Sequence, residues 1–201
     1  MKILKLQTYL TNFDIDSLVE RLVYLHCSRL SQGLLASLGS RYLSELYYHL
    51  IQNSNIALVL VSPDDVVEGF VFGTTSDMRP SFHPFSFFNL IFNLVKKPNL
   101  VLNLILSILV NRNEKFHIPH DSSSVVELSY FVVSKRYSSK GWGSSLIDKF
   151  TSISKLSGFS HIYTRSHNKS LTDYYLFKRK FFLVTELSFF GKYNALINWE
   201  C

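Results

Sequence analysis

The sequence predicts a mixed α/β domain, and three observations predict it. Apolar residues recur at helical spacing in the first quarter of the chain, the period then changes to continuous apolar runs, and in the last third strand-like and helix-like segments alternate. Residues 2–10 alternate as a short strand. Asp14 or Asp16 then caps a helix whose Ile15, Leu18, Val19, Leu22, Val23 and Leu25 keep the spacing of one face. A second helical region, 34–52, carries Leu35, Leu38, Tyr42, Leu43, Leu46 and Leu50, with Gly39 as a break between two pieces. The run IALVLVS at 56–62 and the run EGFVFGTT at 68–75 flank Pro63, Asp64 and Asp65, which predicts a central antiparallel hairpin.

Residues 80–95 and 98–111 contain no Asp, Glu, Lys or Arg. Each is shorter than the roughly 18–20 residues of a spanning helix. Lys96, Lys97 and Pro98 separate them, so a helical-hairpin insertion over about 80–112 is expected rather than a transmembrane span. Asn99, Asn103, Ser107 and Asn111 would make a polar stripe on its second helix. Beyond it, His117, His120 and Asp121 form H-x-x-H-D with a proline inside and no further ligand nearby, so no metal is assigned.

The rest is regular. A strand is expected at 125–134, a helix at 141–157, a strand at 159–166, a helix at 168–178, and two closing strands at 181–190 and 192–200 joined at Gly191. The whole chain, 1–201, is expected to be a single domain. With 47% hydrophobic residues and only 8 Gly and 5 Pro, disordered and collagen-like classes are excluded. Twenty-one basic against 15 acidic residues give a net charge of +6, which favours an anionic partner: a nucleotide, a nucleic acid or an anionic lipid. Cys27 and Cys201 have no metal spacing, as expected of free thiols in a reducing compartment, and the cytoplasm is the expected location. The start MKILKLQTYL lacks the apolar core and cleavage site of a secretory signal.

One junction carries chemistry. Ser138, Ser139, Lys140, Gly141, Trp142 and Gly143 lie where a strand is delivered into a helix N-terminus. Unpaired N–H groups and the helix dipole make such a junction an anion site. Neither GxxxxGK[ST] nor GxGxxG fits it.

The stretch ELSYFVVSKRYSSKGWGSSL, residues 127–146, resembles the acetyl-coenzyme A binding motif of the GNAT acetyltransferase superfamily, in which a strand with exposed backbone leads into an R/Q-x-x-G-x-G/A turn and a helix. A second segment, Asn168 followed by Tyr174, Tyr175 and FKRKFF, is similar to the family's N-x-x-A-x-x-F-Y-x-x-x-G-F ending. Ser138 replaces the motif's Arg or Gln, Leu171 its Ala, and the basic, aromatic run 178–182 its Gly-Phe pair. The helical stretch QGLLASLGSRYLSELYYHLI further resembles acetyltransferases of bacterial surface-polysaccharide and amino-sugar pathways.

The resemblance implies a GNAT-like single domain with a mixed, mostly antiparallel central sheet flanked by helices. It implies acetyl-CoA as donor and direct transfer to an amine of a small or medium acceptor, an amino sugar being the first candidate. Phe131, Val132 and Val133 would offer backbone to the pantetheine arm, Ser138 to Ser144 would cradle the pyrophosphate, and Asn168 would sit near the thiol end. Tyr175, with Tyr174 as the alternative, would protonate the leaving thiolate. Glu127, fourteen residues before Gly141, matches the general-base glutamate of some histone-acetylating members, with His26 the next candidate. No nucleic acid or membrane span is expected, and a homodimer is compatible with the apolar hairpin. Two rivals are a module that holds coenzyme A without turnover, and a peripheral membrane or interaction protein anchored by the hairpin.

Overall fold

A computed structural model describes residues 1–31, 34–75, 124–189 and 192–201. Strand β1 (Lys2–Lys5) is shorter than the strand expected over 2–10. Leu6 and Tyr9 lie three apart and share a helical face, so the chain turns into helix α1 (Leu6–Leu10) and buries both. The Tyr9 hydroxyl donates to the carbonyl of Asp65 at 3.1 Å. Asp14, of the two candidate caps, starts helix α2 (Ile15–Arg29): its carboxylate accepts from the Ser17 N–H at 2.9 Å. The next helical region is indeed split, into α3 (Leu34–Ser37) and α4 (Ser40–Asn53), and Gly39 between them has φ +99°, a conformation that favours glycine.

Strands β2 (Ile56–Val61) and β3 (Val67–Thr74) form the antiparallel hairpin, and β4 (Val125–Val133) adds antiparallel to β3. Helix α5 (Trp142–Leu156) then carries the chain over to β5 (His161–Ser166), which runs parallel to β4. Helix α6 (Lys169–Asp173) continues as one π-helical turn, Tyr174–Lys178. Strands β6 (Phe182–Phe189) and β7 (Lys192–Glu200) close the sheet. Its order is β1-β2-β3-β4-β5-β7-β6, with the β4–β5 pair parallel and the others antiparallel. The mixed, mostly antiparallel sheet expected from the sequence is therefore present. The insertion expected at 80–112, its polar stripe and the residues His117, His120 and Asp121 lie outside the described residues.

The sheet separates two apolar layers. On one face α1, α2 and α4 pack Leu22, Leu43 and Tyr47 against Phe70 and Phe72 of β3. On the other, α5 packs Leu146, Ile147 and Phe150 against Val126, Ile162, Ile197 and Trp199. Gly73 permits that second contact, because a Cβ there would stand 2.6 Å from the Phe150 ring.

A β-bulge sets the geometry of the site. Phe72 pairs with Tyr130 but Gly73 pairs with Leu128, so Ser129 is the extra residue, and its hydroxyl meets that of Thr74 at 2.5 Å. Val126 and Leu128 belong to the α5 face, whereas Tyr130 packs on the face of α2 and α4. Without the extra residue, the alternation of a strand would put Tyr130 on the same face as Leu128.

Candidate active site

Strands β4 and β5 pair only from Val125 to Leu128, against His161 to Thr164. Beyond that point β5 stays with β7, through Arg165↔Leu196 and Ser166↔Ala195, while β4 stays with β3. The two strands therefore fork, and the Thr164 hydroxyl holds the base of the fork by donating to the Leu128 carbonyl at 3.0 Å. Among the described residues, the edge of β4 from Ser129 to Val133, which includes Phe131, Val132 and Val133, has no strand partner on its β5 side. An extended ligand can complete such an edge with main-chain hydrogen bonds.

The turn expected to bind an anion follows directly. After β4 a short 3-10 turn, Lys135–Tyr137, brings the chain to Ser138, whose N–H returns to the Ser134 carbonyl at 3.0 Å and whose hydroxyl donates to the Lys135 carbonyl at 2.9 Å. Ser139 has φ +60° and Gly141 φ +84°, and α5 starts at Trp142. The first backbone bond back into the turn is made by the Ser145 N–H to the Gly141 carbonyl at 3.0 Å. The N–H groups from Ser139 through Lys140, Gly141, Trp142 and Gly143 to Ser144 donate to no protein acceptor among the described residues. Left-handed residues alternating with right-handed ones turn successive N–H groups into one concavity, a nest for an anion at the positive end of a helix. Lys135, Arg136 and Lys140 are exposed around it, and a Cβ on Gly141 would enter open space there. Gly143 sits over β4, where a Cβ would touch the Phe131 ring at 3.4 Å.

At the fork's base, Glu127 of β4 forms an ion pair with Arg165 of β5. Their side chains are 28% and 23% exposed. Glu127 is in register with Tyr163, and Arg165 lies two residues further along β5. Tyr130 is on the same side, next to the layer that contains His26 and Tyr47. Burial raises the Tyr130 hydroxyl well above the ordinary phenol range, with the charge of Glu127 adding to it. His26 is sealed in the layer of α2 and α4, its Nδ1 2.8 Å from the Tyr47 hydroxyl and its ring 6.2 Å from that of Tyr130. Burial pushes this imidazole down to about 4, so it is neutral at physiological pH and packed one ring behind the fork.

The two tyrosines have different surroundings. Tyr175 is 2% exposed, stacked on Phe181, which in turn stacks on Trp199. Burial raises its hydroxyl strongly, so the phenol keeps its proton. Tyr174 is half-buried, and its hydroxyl is hydrogen-bonded to Ser144 in the first turn of α5. Asn168 caps α6 at the end of β5, its side-chain oxygen accepting from the Leu171 N–H at 3.3 Å. The sequence reading placed Glu127 but missed its partner Arg165, because nothing in residues 161–166 tells which strand they lie beside. It also missed the bulge at Ser129, for which the two adjacent half-polar positions before Phe131 were the available signal.

No family model matches the chain, and no curated protein matches it significantly. Solved structures do. The C-terminal condensation domain of Ebony in complex with beta-alanyl-dopamine aligns over 100% of this chain and 98% of its own, with a TM-score of 0.69 and 9% identity. An aminoglycoside 6'-N-acetyltransferase complexed with coenzyme A covers 100% of this chain and 97% of its own, at a TM-score of 0.58 and 13% identity. The acetyltransferase of the GNAT family from Streptococcus pneumoniae covers 99% and 98%, at a TM-score of 0.56 and 13% identity. A full-length likeness at such low identity reports architecture, and the architecture of this chain is the GNAT acetyltransferase fold.

Proposed function

We propose that this chain is an acetyl-CoA-dependent N-acetyltransferase that transfers the acetyl group directly to a primary amine of a small or medium acceptor. The observation that carries the reading is the continuity of the open β4 edge with the nest at Ser139 to Ser144. One edge-pairing strand and one anion cradle, in that order, match a ligand with a peptide-like arm ending in a pyrophosphate. Phe131 to Val133 would pair with the arm, the nest would hold the pyrophosphate, and Asn168 would stand across the fork near the thiol end. Tyr174, bonded to Ser144, would position the start of α5.

In the proposed reaction the acceptor's ammonium gives a proton to Glu127, directly or through a water, and the free nitrogen attacks the thioester carbonyl carbon. The C–S bond breaks as the C–N bond forms. Sulfur takes a proton from the Tyr175 hydroxyl, and the nitrogen's surplus proton restores the tyrosine through solvent. The balance is an amide, coenzyme A as thiol, and one proton. An amino sugar is the first acceptor to test, on the resemblance of the early helices. Free thiols at Cys27 and Cys201 support placing the reaction in the cytoplasm.

The test is thiol release from acetyl-CoA across a panel of primary amines, together with calorimetric binding of acetyl-CoA. Release that depends on both acceptor and Glu127 is the expected result. Binding without release on any amine would instead identify a coenzyme A-holding module. Neither binding nor release would remove the reading.

A further inference from the structure

The fork between β4 and β5 has a visible cause in side-chain hydroxyls. Thr164 and Ser166 lie two residues apart on β5, so they share one face of that strand. Both are buried, at 3% and 1% exposure. Thr164 reaches across to β4, where its hydroxyl donates to the Leu128 carbonyl at 3.0 Å. Ser166 turns forward along its own chain: its hydroxyl donates to the Asn168 carbonyl at 3.0 Å and accepts from the Asn168 N–H at 3.4 Å. The register agrees, since Leu128↔Thr164 is the last pair between the two strands and β5 then continues on β7. From the opposite side β4 is held at the very next residue, where the hydroxyl of Ser129 in the bulge meets that of Thr74 at 2.5 Å. We propose that Thr164 is a positioning residue that ends the β4–β5 ladder, its hydroxyl keeping the edge from Ser129 to Val133 open for the pantetheine arm. The proposal rests on the transferase reading, in which that edge receives the arm.

In a parallel ladder a carbonyl takes a main-chain N–H from the neighbouring strand, which holds the two chains about 4.8 Å apart. At the last rung here a side chain supplies the proton. The Leu128 carbonyl is thus satisfied without drawing a further N–H of β5 toward β4, and β5 can follow β7. Threonine suits the place, because its branched carbon fits a strand and restricts the direction in which the hydroxyl points. Without the hydroxyl a buried carbonyl would lose its donor, and the nearest replacement is the next main-chain N–H of β5. Taking it would carry the ladder past Leu128 and over the edge that the arm must complete.

The test separates the arm from the nucleotide. Calorimetry gives the Kd of coenzyme A and of its nucleotide half, cut after the pyrophosphate, and the ratio of the two measures what the arm adds. In the native protein coenzyme A should bind more tightly. Thr164→Val keeps the shape and removes the hydroxyl, so that advantage should shrink by about tenfold or more while the nucleotide half binds as before. Thr164→Ser returns a hydroxyl and should bring the advantage to within about threefold of the native one. An unchanged advantage in Thr164→Val would overturn the proposal and leave the transferase reading standing. So would equal weakening of both ligands, the mark of a merely structural role, or a serine variant as poor as the valine one. If Thr164→Val does not fold, Thr164→Ser decides alone, a kept advantage supporting the hydroxyl and a lost one overturning it. Native protein that binds both ligands equally would remove the reading of the edge itself, and the proposal with it.

Discussion

Tyr174 and Tyr175 are neighbours in sequence with different surroundings, and the separate tasks proposed for them can be measured. Tyr175→Phe keeps the stack on Phe181 and loses only the hydroxyl, so kcat should fall by roughly 10–10⁴-fold while the acetyl-CoA Kd holds. Tyr174→Phe breaks the bond to Ser144 at the nest and should act on cofactor affinity first. The reverse pattern would exchange the two roles. For Glu127→Gln, which preserves size but not basicity, the rate should drop at neutral pH and recover in part as alkali deprotonates the amine. A profile that overlays the native one would show that another group takes the proton. His26 makes a prediction about stability. Its pKa is about 4 in the fold against about 6.5 when unfolded, so burying it neutral contributes stability that is complete above pH 6.5 and is lost as pH falls toward 4. The loss is on the order of 3 kcal/mol at most. Comparing denaturant unfolding of the native protein with His26→Asn across pH 4 to 7.5 should show this extra acid sensitivity only in the native chain. Parallel curves would mean the imidazole is not sealed.

At the scale of elements, the bulge, the fork and the nest cooperate. Ser129 turns Tyr130 toward the face of Glu127, the parting of β4 from β5 leaves an edge to be completed, and the left-handed residues Ser139 and Gly141 aim the next N–H groups outward. Much of this was legible. Strand, glycine turn and helix could be read in residues 125–157 because side-chain period and glycine spacing are local properties. The length of β1 could not, since 2–10 satisfies a strand's alternation and, through Leu6 and Tyr9, a helical face; packing against β2 decides for the helix. The Glu127–Arg165 pair was illegible for a different reason. It depends on the register of two parallel strands joined through α5, and no local pattern encodes that register. Gly73 tests the packing between sheet and α5: Gly73→Ala should cost about 1–3 kcal/mol in denaturant unfolding, because the buried Phe150 ring has to move. A neutral substitution would show that the contact is looser than the structure has it.

For the whole molecule, the proposed function requires one continuous surface, from the open edge of β4 to the start of α5, to hold a pantetheine arm and its pyrophosphate. Under the proposed function Glu127 would take the acceptor's proton and Tyr175, after β5, would serve the leaving group. The most direct measurement is isothermal calorimetry of coenzyme A binding to the native chain and to Gly141→Ala. At φ +84° alanine is strained, which takes about 1–2 kcal/mol from stability but leaves the variant folded, and its methyl group projects into the space the phosphates would need, so it should bind about tenfold more weakly or worse. Equal affinity in the two proteins, or no binding by either, would contradict the account.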